Sequence, residues 1–212
     1  MALAVAGPLA RCLGADRETA LRQQQGIELW RKDLATGLPA GAPELRWDED
    51  PAVEPRRFDL GESGWMALRL LATYAERTDL ELPDTVPALL ELDKAWRKAA
   101  DEKFARSRFG HLVAAECWLP AEFEFTVRAP LPDGTAADIG SLVLLQDQLK
   151  RLNEATFQAG ACELGEWQAL PAPAGGDLLD AARRGLAVLG AAAAWALAGR
   201  SVLLLRPTAT LD

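Results

Sequence analysis

His111 and Cys117, with Glu116 beside the cysteine, make the nearest approach in this chain to the base, nucleophile and orienting acid of a thiol enzyme. That chemistry needs the imidazole within hydrogen-bond reach of the sulfur and surroundings that favour thiolate. The run from His111 to Trp118 reads as a strand, and residues six apart on one strand share a face but stand about 20 Å apart, too far for proton transfer. The pair is therefore expected to be structural, the cysteine packed as a small hydrophobe and the histidine satisfied by local hydrogen bonds. His111 is the single histidine of 212 residues, so acid–base work or metal ligation by imidazole has one residue to draw on.

Carboxylates are the other candidates. Glu122 and Glu124 fall on the outer face of a strand read from Glu122 to Arg128, about 7 Å apart, a separation that suits acid–base chemistry if a cleft covers that face. Asp79, Glu81, Asp84, Glu91 and Asp93 form a dense acidic stretch of the kind that supplies oxygen ligands to hard cations. Their order matches no EF-hand loop, and a solvated turn between helices with capping aspartates is the expectation. No phosphate loop, paired-cysteine cluster, nucleophile elbow or dinucleotide fingerprint occurs, and no cofactor is expected.

The chain carries 31 acidic and 23 basic residues, a net charge of −8. Such a surface repels phosphate backbones and anionic lipid, and the basic pairs are scattered, so nucleic acid and membrane are not expected partners. Seven tryptophans stand against one tyrosine. Trp65 and Trp96 fall on core faces by periodicity. Trp47, followed by Asp48, Glu49 and Asp50, and Trp167 beside Glu166 lie in loop-like stretches; a tryptophan flanked by acid anchors well in an apolar pocket rimmed by Lys or Arg.

The elements that must hold these groups follow from pattern. Asp16 caps a helix to Leu34 with Ile27, Trp30 and Leu34 inward. Residues 39–62, with four prolines and a charge-dense middle, read as an irregular acidic connection. Ser63 opens a helix to about Thr78, and Pro87 another to about Arg106 with Leu89, Leu92, Trp96 and Ala99 on one face. Phe123, Phe125 and Val127 point inward from the alternating strand, and Pro132-Asp133-Gly134-Thr135 turns it back through Ile139. Ser141 caps a helix to Phe157, Asp177 starts the last helix, and Ser201 to Leu205 is a short strand. The opening from Met1 to Ala10 is apolar but lacks the positive start of a secretory signal. Gly185 to Gly199 would rise about 22 Å as a helix, short of the roughly 30 Å of a bilayer core.

The sum is an α+β chain dominated by helices, with one small antiparallel sheet built on the hairpin around Asp133-Gly134. It is expected to form a single domain over 1–212 with its core in 63–157. Three cysteines at wide spacing suit a reducing cytoplasm. The leading function is a non-catalytic cytoplasmic binding protein whose acidic surface, with Trp47, Asp48, Glu49, Asp50 and Trp167 as contact residues, engages a basic protein partner as an inhibitor or immunity-type neutraliser. The alternatives are a small carboxylate- or metal-dependent hydrolase using Glu122, Glu124, Asp79 or Glu81, and a homo-oligomer packed through the Ala/Gly-rich last helix.

Overall fold

The structure, a computed structural model, describes residues 2–39, 42–77, 79–171 and 176–207. The chain opens with β1 (Ala2–Gly7), a short helix α1 (Leu9–Cys12) and the long α2 (Arg17–Gly37). An irregular passage leads to β2 (Arg56–Asp59), α3 (Glu62–Tyr74), α4 (Lys94–Asp101) and α5 (Gly110–Val113). Then come β3 (Cys117–Leu119), β4 (Val127–Pro130), β5 (Ala136–Ser141), α6 (Leu142–Ala155), α7 (Ala161–Ala169), α8 (Leu178–Ala198) and β6 (Val202–Pro207). The α+β class with helices dominant is as expected.

The sheet is larger than expected and mixed. Its order is β2-β1-β6-β3-β5-β4, with β3 and β5 parallel and the other neighbours antiparallel. The hairpin around Asp133-Gly134 is present as β4 and β5. What enlarges the sheet is β1, β2 and β6. Side chains alternate between two cores: Ala4, Ala6, Trp118 and Leu203 pack with α3, α6 and α8, while Val5, Cys117, Ile139 and Leu204 pack on the other face with α2. A strand buried on both faces reads as a continuous apolar run, without the alternation that announces a half-buried one.

Caps set the helices as the residue types dictate. Asp16, Ser141 and Asp177 each accept a hydrogen bond from a backbone N–H three residues on. The helix expected from Pro87 begins instead at Lys94, because Asp93 caps it through Trp96 N. Leu89 and Leu92 consequently stay outside the helix, 59% and 66% exposed, while Trp96 is buried. The helix for which Ser63 is the expected cap is capped instead by Gly61, two residues earlier, and ends at Tyr74; Thr78, its expected end, lies outside the described residues. Residues 122–126 alternate in burial as expected but pair with no strand, and β4 begins only at Val127. α3 and α8 pack closely, with Gly64 and Gly185 at the point of approach. Among the described residues no helix is long and apolar enough to cross a membrane.

Candidate functional site

Within the connection expected to be irregular over 39–62, β2 occupies Arg56–Asp59 and α3 begins at Glu62; its acidic part, in residues 42–55, is irregular but firmly held. Trp47 packs edge-on against Trp30 of α2, with ring centroids 6.0 Å apart, and the Arg31 guanidinium lies 5.0 Å from its ring centre. The indole N–H of Trp47 donates to Glu49 Oε1, which also accepts from Leu9 N at 2.9 Å at the start of α1. Gln24 Nε2 donates to the Glu49 carbonyl at 3.0 Å, and Asp48 N donates to the Arg200 carbonyl at 2.9 Å. Five contacts from α1, α2 and the turn after α8 thus hold three consecutive residues, Trp47 to Glu49.

Trp47 is therefore not the exposed anchor expected of it: it is only 7% exposed. Glu49 is also turned inward, as the clamp between Trp47 and α1, and burial raises its carboxyl pKa against the opposing pull of the bonds from Leu9 and Trp47. Asp48 and Asp50 remain at the surface, each accepting a backbone N–H two residues ahead, from Asp50 and Ala52. Together with Glu28 and Gln24 of α2 they border a hollow of about 370 Å³. Leu21, 58% exposed, stands one turn before Gln24 on the same stripe of α2. Leu21, Gln24 and Glu28 share the outer stripe of α2, away from the buried Ile27 and Leu34, and their three-then-four spacing is the sequence pattern that places them together.

Trp167 lies elsewhere. It sits on α7, a helix where a loop is expected, half-buried against Phe157 at 5.4 Å and Arg183 at 5.9 Å. Trp47 packs on the α2 side of the sheet and Trp167 on the α8 side, so the two rings do not share a surface.

The chemically suggestive residues are each accounted for. His111 lies in the short helix α5 rather than a strand and is 2% exposed. Its Nδ1 accepts from Ser141 N at 3.0 Å and its ring bonds to the Glu124 backbone, which fixes a neutral imidazole. Burial lowers its pKa to about 4, with the Glu124 bond opposing. Cys117 is fully buried on β3 and its thiol pKa is raised by burial to about 12, the reverse of a nucleophile's requirement. Glu122 and Glu124 are both exposed, but Glu124 borders a cleft of about 940 Å³ and Glu122 lies outside it. Asp79 pairs with Arg77 at 3.2 Å, Glu81 is exposed, and Asp93 is occupied by Tyr74 and by the α4 cap. Among the described residues no group of three or more His, Cys, Asp or Glu is placed to hold a metal ion.

Replacing Trp47 by phenylalanine keeps the ring packing but removes the donor to Glu49. A loss of about 1 to 2 kcal/mol is expected, read by urea denaturation; unchanged stability would show that the clamp does not hold the segment. Comparison with family models, curated proteins and solved structures gives no match to this chain.

Proposed function

We propose that the chain is a non-catalytic binding protein that engages a basic protein partner, as an inhibitor or neutraliser of a basic enzyme does. The observation that carries this reading is the rigidity of the acidic hollow. Glu28, Asp48 and Asp50, with Arg31 beside them, line a depression whose backbone is tied to Gln24, Arg31 and Arg200 and whose Glu49 carboxylate accepts from Leu9 N. A charged surface that needs no ordering on association keeps more of its interaction energy, and complementary charge speeds encounter. The hollow suits a Lys or Arg side chain, and the exposed Leu21 beside it suits an apolar neighbour in the partner.

A cytoplasmic setting belongs to the same proposal. Cys12 and Cys117 are buried free thiols in one core cluster, which suits a reducing compartment.

The test is affinity for a partner captured from native lysate and then purified. Asp48→Lys with Asp50→Lys is expected to weaken binding at low salt by about a hundredfold and to flatten its dependence on ionic strength. Calorimetry giving wild-type affinity for the double variant would overturn the reading. The small residues of α8 offer little to a second copy at Gly185, which faces α3.

A further inference from the structure

The cleft of about 940 Å³ lies on the other side of the molecule's chemistry, between α3, the turn after α4, α5 and the approach to β4. Arg69 forms part of its wall. The guanidinium stands between two indoles, 4.8 Å from the ring centres of Trp65 and of Trp96. Its Nε donates to the Val113 carbonyl at 2.8 Å, and Nη2 donates to the same oxygen. Among the described residues it enters no ion pair; Glu116, Glu91 and Asp138 act on it at longer range, and burial lowers its pKa to about 10. Arg69 is half-buried, and a partly desolvated cation whose one bonded partner among the described residues is a neutral carbonyl is stabilised by an anion beside it.

The geometry of the fork says which edge is available. The Nε and Nη2 edge is spent on Val113, and the Nη1 and Nη2 edge, with its parallel N–H groups, makes no bond to a described residue. Two parallel donors match a carboxylate.

Of the other charges at the cleft, Arg128 pairs with Asp138 at 2.8 Å and Arg108 with Glu76 at 3.8 Å, while Lys103, Glu116 and Glu124 also line it, so that Arg69 holds its place among charges of both signs. The remaining wall is partly apolar, with Phe104, Phe125 and Leu144. Phe104 is held there at a cost in backbone conformation. Lys103 and Phe104 adopt φ of 53° and 52° in succession, and the Phe104 ring packs 4.9 Å from Trp96, the same indole that faces Arg69. Left-handed conformations at two consecutive residues other than glycine persist where the surroundings over-determine them.

We propose that this cleft binds a small monocarboxylate with an apolar body, its carboxylate held by Arg69 and its body by Phe104, Phe125 and Leu144. A net charge of −8 favours a single negative charge over a polyphosphate at long range.

The test is a heteronuclear NMR titration of the full chain with benzoate, with benzamide as its uncharged isostere and with inorganic phosphate. Benzoate is expected to move the indole N–H signals of Trp65 and Trp96 saturably at millimolar concentration. Benzamide and phosphate should bind at least about tenfold more weakly, and Arg69→Lys, which loses the fork, should weaken benzoate by about tenfold. Should that variant not fold, benzoate must slow the modification of Arg69 by phenylglyoxal in the wild-type chain, mapped by mass spectrometry. Absence of a saturable shift at these indoles, equal binding of benzamide, equal binding of phosphate as at a generic anion site, or no protection of Arg69 would each overturn the proposal.

Discussion

Gly185→Ala is expected to lower stability by about 3 kcal/mol or more, while Gly64→Ala, its neighbour across the same contact, is expected to be neutral or to gain up to about 1 kcal/mol. The two residues face each other where α8 crosses α3, yet their positions are not equivalent. A Cβ on Gly185 would lie 2.4 Å from the Gly64 carbonyl oxygen and 3.0 Å from its carbon. Those are backbone atoms of a helix, and they can yield only if the whole helix moves. A Cβ on Gly64 would lie 3.5 Å from the Ala181 oxygen and 3.7 Å from the Gly185 Cα, which is ordinary contact. There the higher helix propensity of alanine meets no opposing clash. Chemical denaturation of the two single variants separates them, and equal losses would mean that the helices do not approach as described.

His111→Ala is expected to cost about 3 kcal/mol at neutral pH. The imidazole is the acceptor for the buried Ser141 N–H, and its removal leaves that donor unpaired beside a new cavity. The cost should shrink in acid. Burial holds the folded-state pKa near 4, against an ordinary value of 6.5. Above pH 6.5 the ring is neutral in both states and pH does nothing through it. As pH falls from 6.5 toward 4 the unfolded chain takes up a proton that the folded chain excludes, so the wild type loses at most about 3 kcal/mol through this group. Below about pH 4 the folded form is protonated too and that loss levels off. Carboxylates titrate in both proteins, so the informative quantity is the difference in unfolding free energy between wild type and variant. It should narrow between pH 6.5 and 4; a difference that stays constant would place a charged or exposed imidazole at position 111.

What was legible in the sequence was whatever local chemistry decides. Asp16, Ser141 and Asp177 announce helices because each satisfies a backbone donor three residues away, and α2, α6 and α8 begin where those residues stand. The turn at Asp133-Gly134 was legible because Gly134 takes a positive φ of 86°. β1 was hidden because Ala4 and Ala6 serve one core while Val5 serves the other, leaving no alternation to read. Pro87 to Arg106 misled because Leu89 and Leu92 fall at helical spacing from Trp96, yet Asp93 captures the first turn and leaves both leucines outside. The candidate contact segment was legible as acidic but not as folded. Trp47 is covered because Glu49 reaches Leu9, forty residues back in the chain, and no local pattern encodes that bond.

β6 is the last of the described strands and lies third in the sheet, between β1 and β3. Its neighbours bring together the opening of the chain and its middle, and without it β2 and β1 would be one ribbon while β3, β5 and β4 would be another. Assembly on the ribosome must therefore wait: the helices of the first half can form as they emerge, but the two partial sheets cannot be joined until residues 202–207 are free to enter. During that interval the flanks of β1 and β3 that β6 will cover stand open. The sheet depends on this late strand as an arch depends on its keystone, and a nascent chain stalled before it would be a natural client for chaperones.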